Sequence, residues 1–153
     1  MRATLLIGLV AGPWAAAAPG SKDKDPPKPS PLVGEWELVS STALGNTRPW
    51  DLGGGYVFTA DGKYGTRAGG PDDTVTWHKY AADDKADPRT VDVVVTDKAD
   101  KATTWRWLYR VTGDTLEVCW RTDDPTVRPK EFEAGAGSKN AVYTLKKVAP
   151  KKK

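Results

Sequence analysis

One histidine, one cysteine and several adjacent aspartates are the residues of this chain whose types could do acid–base, nucleophilic or metal chemistry. His78 has Lys79 beside it and no Cys, His, Asp or Glu within three positions. A zinc site needs two or three further ligands. A Ser-His-Asp arrangement would have to use this same imidazole, and no G-x-S-x-G elbow is present to offer a serine. His78 therefore reads as a surface or internally satisfied histidine. Cys119 lies in the strand-like run Leu116 to Arg121 without a second cysteine, and reads as a small, half-buried packing residue rather than a nucleophile. The pairs Asp72-Asp73, Asp83-Asp84 and Asp123-Asp124 fall in turn-like stretches, where adjacent aspartates are usually solvated caps. Glycosidase-type catalysis needs two carboxyls facing each other across a cleft, and a dedicated calcium loop needs spaced oxygen ligands; neither pattern is present. Gly53-Gly54-Gly55 is followed neither by a helix start nor by Lys-Ser/Thr, so a bend leading into a strand explains it better than a phosphate cradle. The expectation is a protein with no catalytic residues, no metal and no cofactor.

Aromatic side chains are the remaining resource. The chain has seven Trp, five Tyr and two Phe, all but Trp14 beyond residue 31. Large rings either fill a small core or line a ligand cavity, and both readings stay open. If a cavity exists, the expected lining is Trp77, Trp105, Trp107, Tyr109 and Trp120, with Arg106 or Arg110, or else Arg67, orienting a polar group of the ligand.

The elements that would position these residues are strands. Between Leu32 and Val148, short runs rich in Trp, Tyr, Val and Thr alternate with Gly, Asp and Pro clusters, the pattern of an all-β domain of about 115 residues. Eight strands are predicted. Leu32 to Ser40 sets Leu32, Gly34, Trp36 and Leu38 against Glu35 and Glu37. Gly55 to Ala60 and Lys63 to Arg67 flank the hairpin signal Asp61-Gly62. Thr74 to Tyr80 follows a Gly69-Gly70-Pro71-Asp72 turn, and Thr90 to Thr96 puts Val91, Val93 and Val95 on one face. Trp105, Trp107, Tyr109 and Val111 share a face of the next strand, and Gly113-Asp114 turns into Thr115 to Arg121 with Leu116, Val118 and Trp120 together. Ala141 to Val148 closes the series with Ala141, Tyr143 and Leu145. No stretch has helical periodicity over a helical length. Eight antiparallel strands can close into a small up-and-down barrel, although a two-sheet sandwich would show the same alternation.

The opening Leu32-Val33-Gly34-Glu35-Trp36-Glu37-Leu38 is similar to the G-x-W strand of lipocalin-type barrels. That similarity implies that Gly34 and Trp36 close the barrel floor beneath a basic residue of the last strand, with Lys146 favoured over Lys147. A longer series runs through Thr90-Val91-Asp92-Val93, Tyr109-Arg110-Val111-Thr112-Gly113-Asp114-Thr115-Leu116-x-Val118-Cys119 and Arg128-Pro129-Lys130-Glu131-Phe132, ending in Leu145-Lys146-Lys147. Its order resembles a family of uncharacterised exported lipocalin-like domains abundant in planctomycete bacteria, from which it departs at Trp105, Trp107 and Trp120. The resemblance implies the barrel and the export, and supplies no catalytic residues.

The N-terminus agrees with export. Arg2, the apolar run Leu5 to Val10 and the small residues Ala15 to Ala18 have the three-part layout of a signal peptide, cleaved after about Ala17. The apolar run is far short of the roughly 20 residues that span a bilayer, so no stable membrane insertion is expected. No Cys follows it to take a lipid. Residues 18–31 form a Pro/Lys/Asp-rich linker without an aliphatic side chain beyond Ala18, read as a disordered tether. Residues 149–153 are a basic tail. The formal charge of +3 is concentrated in that tail, and acidic residues are interleaved elsewhere, which argues against a nucleic-acid partner.

The expectation from sequence is a secreted or periplasmic lipocalin-like barrel that binds a small apolar or amphipathic ligand without catalysis. The alternative is an envelope scaffold with a solid barrel whose surface contacts another protein. A cavity discriminates the two.

Overall fold

The period-two alternation of the sequence becomes nine antiparallel strands in the computed structural model, which describes residues 28–69 and 74–149. The signal peptide, most of the linker, residues 70–73 of the predicted turn and the terminal lysines lie outside the described residues. The strands are β1 (Gly34–Ala43), β2 (Asn46–Pro49), β3 (Gly55–Phe58), β4 (Lys63–Arg67), β5 (Val75–Asp83), β6 (Arg89–Thr96), β7 (Ala102–Thr112), β8 (Thr115–Arg121) and β9 (Asn140–Lys147). There is no helix among the described residues.

The seven strands β3 to β9 pair with their neighbours in order, and β9 returns to β1, which pairs with β3, so that eight strands close the wall. The result is a closed up-and-down barrel rather than a sandwich. Closure leaves no free edge in the wall. The ninth strand, β2, is an addition the sequence reading did not include. It pairs with Ser40 to Ala43, while β3 takes Gly34 to Glu37 on the same side of β1. Leu44 and Gly45 both have left-handed backbone (φ 53° and 77°), the geometry of a tight primed turn that folds β2 back on β1. A bulge between Leu38 and Ser40 leaves Val39 out of register with β9, and its carbonyl accepts the Trp50 backbone N–H instead.

The turns follow from their residues. Gly113-Asp114 makes the predicted two-residue hairpin, with Thr112 opposite Thr115 and Gly113 at φ 57°. At Asp61-Gly62 the loop is longer. Thr59 to Gly62 forms a turn closed by the Gly62 N–H to the Thr59 carbonyl, and Thr59 and Lys63 then pair across it.

The barrel interior is one apolar cluster that includes Trp36, Leu38, Phe58, Tyr64, Val91, Val93, Trp107, Tyr109, Leu116, Val118 and Leu145. The floor is sealed by Leu32, whose carbonyl accepts the Trp36 Nε1–H at 2.8 Å. Ser30 donates to Asp84 at 2.9 Å, and the Tyr109 hydroxyl also bonds that carboxylate, so the last residues of the expected linker already belong to the floor. Lys147 stands over the Trp36 ring, 5.3 Å from its centre. Lys146, the residue expected there, points outward and donates to Thr115 Oγ1 at 2.7 Å. The correction follows from alternation, because Lys147 shares the face of Leu145 and Lys146 does not.

A second, smaller core lies outside the wall. Leu108, Cys119 and Val142 project from the outer faces of β7, β8 and β9, and the 122–139 connection covers them with Ala134 and Phe132. Arg128 fastens this connection by donating to the Trp107 carbonyl at 2.7 Å and pairing with Asp92. Cys119 is thus fully buried, not half-buried.

Candidate functional site

The floor end of the barrel carries the chain ends and the hairpins at Asp61, Asp84 and Gly113. The opposite end carries the 50–54 segment, the end of β4 and the 122–139 connection. A cavity of about 260 Å³ opens there, lined by Leu38, Trp50, Gly53, Gly55, Tyr56, Thr66, Arg67, Ala68 and Tyr143.

Each wall of this mouth has a local cause. Trp50 hangs beside the opening because its Nε1–H donates to the Gly53 carbonyl at 2.8 Å. The glycine run that follows lets the chain pass between β1 and β4 at contact distance. A Cβ on Gly55 would sit 1.9 Å from the Trp36 carbonyl oxygen, and one on Gly54 would sit 2.6 Å from that of Arg67. Tyr143 reaches the mouth from β9 and packs against Trp50 (ring centres 6.2 Å) and edge-on against Trp120 (5.8 Å). Tyr56 forms the inner wall, stacked on Trp107 at 5.9 Å and crossing Tyr64 at 5.3 Å.

The inner wall of the mouth is aromatic and uncharged. Burial raises the pKa of the Tyr56 phenol, and the neighbouring Tyr143 phenol raises it further. Burial, followed by Tyr56, raises Tyr64 in the same way, and burial alone raises Tyr143. No charged side chain is buried among the described residues. Arg67 contributes to the rim, but its guanidinium lies 3.8 Å from Glu35. One polar atom in this region is unusual. Trp107 Nε1 is buried and makes no hydrogen bond.

The expected lining residues divide into two groups. Trp105, Trp107 and Trp120 belong to or pack against the interior cluster, and Tyr109 does too, but at the floor, where Asp84 takes its hydroxyl. Trp77, Arg106 and Arg110 are on the outside, contrary to expectation. Trp77 lies over Gly65 on the outer wall and is 49% exposed. The Arg106 guanidinium approaches the Thr126 carbonyl at 3.5 Å. Arg110 pairs with Glu117 and covers the Phe132 ring at 4.6 Å. Both arginines alternate with Trp105, Trp107 and Tyr109 along β7, so they must face away from them.

Sequence reasoning did not select Trp50, Tyr56, Thr66 or Tyr143. The only local signal was the glycine run between Trp50 and Tyr56. Tyr143 joins them through barrel closure, which brings β9 against β1. Among the described residues no group of three His, Cys, Asp or Glu is arranged to hold a metal ion. Comparison with protein-family models, with curated proteins and with solved structures finds no match to this chain.

Proposed function

We propose that this chain is an exported, non-catalytic lipocalin-like binding module that takes one small apolar or amphipathic molecule at the barrel mouth. The observation that carries this reading is the cavity between Leu38, Trp50, Tyr56 and Tyr143 at the open end of an otherwise filled barrel. Ligand sites are typically concave, mostly apolar, and supplied with a few placed polar groups. Here the polar groups are the hydroxyls of Tyr56, Tyr143 and Thr66 and, on the rim, the Arg67 guanidinium. At about 260 Å³ the cavity is below the usual range for drug-sized ligands, which suits one or two rings or a short chain better than a long fatty acid.

The test is a tryptophan-fluorescence titration of the mature protein with aromatic amphiphiles, short isoprenoids and fatty acids, with native mass spectrometry for a carried ligand. Saturable one-to-one binding that weakens in Trp50→Ala and Tyr143→Ala supports the reading. Absence of binding across the panel overturns it. A scaffold role would then gain from a different observation, the exposed Trp77 in a shallow outer groove with Lys63, Lys79, Val94 and Ala102.

A further inference from the structure

We infer that the ligand of the mouth cavity is a neutral, planar molecule carrying a hydrogen-bond acceptor, and that Trp107 Nε1–H is the donor that recognises this acceptor. The inference rests on the mouth being a binding site and adds to it the chemistry of the occupant.

The starting point is the unpaired indole. Trp107 is 3% exposed, and its Nε1 has no partner. Two other indoles of the barrel spend the same group on backbone carbonyls, Trp36 on Leu32 and Trp50 on Gly53. Most buried polar groups in folded proteins are paired, and leaving one unpaired forfeits the hydrogen bond it made to water in the unfolded chain. An indole N–H is a donor only, so whatever completes it must bring an acceptor.

Position connects this donor to the mouth. Trp107 stacks nearly parallel on Tyr56, with 21° between the rings, and Tyr56 is the inner wall of the cavity. The indole that carries the unpaired donor therefore packs against the ring that lines the space a ligand would fill. A ligand acceptor reaches it when the Tyr56 ring turns aside, or through a single water bridging from the cavity.

The walls select for shape and charge. Trp50 and Tyr143 present rings at the opening, and flat aromatic ligands gain most from such walls. No buried cation faces the space, and the Tyr56 and Tyr143 phenols stay neutral at physiological pH. Arg67, the cation on the rim, is already paired with Glu35, so an ionised headgroup entering this cavity would lose its water without an unshared charge to compensate it. An acceptor such as a ketone or quinone carbonyl meets the donor without that penalty.

The experiment compares three probes of one shape by isothermal titration: acetylnaphthalene, isopropylnaphthalene and naphthoate. The ketone should bind about tenfold more tightly than the hydrocarbon, the gain of one hydrogen bond to a donor otherwise unsatisfied. Naphthoate should bind most weakly. In Trp107→Phe the ketone's advantage should disappear while the hydrocarbon still binds. Because that variant alters the core, a second readout on the wild-type protein accompanies it: the Trp107 indole N–H resonance should move downfield with the ketone and not with the hydrocarbon. Equal affinity of ketone and hydrocarbon, with no movement of the indole resonance, would overturn the inference while leaving the mouth as a binding site. Tightest binding by naphthoate would also overturn it. If no probe binds, the reading of the mouth as a site fails first, and the inference with it.

Discussion

Lys147 and Trp36 face each other across the β9–β1 seam, with the ammonium 5.3 Å from the centre of the indole ring. This is the contact at which the last strand meets the first. The Lys147 side chain also passes close to Gly34, where a Cβ would come within 3.2 Å of its Cε. Charge and apolar stem act together, the stem adding to the cover that Leu32 gives the fully buried ring.

Lys147→Ala should therefore destabilise the protein by about 0.5–1 kcal/mol through the lost cation–π contact, and somewhat more through the uncovered ring. Lys146→Ala should stay within about 0.5 kcal/mol of wild type, since its one bond is an exposed one to Thr115. Urea unfolding of the two variants side by side decides between them. Equal losses would remove the special role of Lys147.

Trp36 is fully buried and holds Leu32 beneath it. Trp36→Ala should cost roughly 3–5 kcal/mol, as expected for emptying a large core site. An unchanged denaturation midpoint would mean that the ring does not close the floor.

Alkali should weaken the fold. Burial raises the phenols of Tyr56, Tyr64 and Tyr143, and burial together with the Asp84 hydrogen bond raises Tyr109, all from an ordinary value near 10. A group that is harder to ionise in the folded chain than in the unfolded one contributes its full stability below the unfolded pKa and loses it as pH rises beyond. Stability should thus be level through neutrality and fall above about pH 10. Tyrosinate absorbance of the native protein should lag behind that of the urea-unfolded chain. Coincident titration curves with native circular dichroism intact would contradict the burial of these hydroxyls.

Cys119 is covered by Ala134 and Phe132, and burial pushes its thiol up to about 11. Iodoacetamide should leave the native protein unmodified at mildly alkaline pH and label it quantitatively once unfolded. Rapid native labelling would show that the 122–139 connection does not stay on the wall.

The eight wall strands were legible in the sequence from apolar alternation where it is present, as in Val91, Val93 and Val95 or Leu116 and Val118, and from the turn residues that bound them, as Asp61-Gly62 does for the shorter Lys63 to Arg67 run. The strand β2 was not, since Asn46, Thr47, Arg48 and Pro49 include no aliphatic or aromatic residue and all are exposed. Its existence depends on the Leu44-Gly45 turn and on free pairing positions along β1. The outward course of Arg106 and Arg110, and the choice of Lys147 over Lys146, follow from the same alternation when it is applied residue by residue. The mouth is different in kind. Trp50, Tyr56 and Tyr143 come from three distant segments, and only the closure of β9 on β1 assembles them. Spacing along a chain does not encode which ring of one strand meets which ring of another.

The covered outer face of β7, β8 and β9 makes the barrel mechanically lopsided. That side is packed on both faces, whereas Lys63, Trp77 and Lys79 on the outer face of β4 and β5 are exposed to solvent. Local opening follows the thinner packing, so amide exchange should be slowest in β7 to β9 and faster in β3 to β5. The glycine edge of the mouth belongs to the compliant half. A molecule could be admitted by breathing of that half alone, with the double-packed half holding the barrel's shape as it does so.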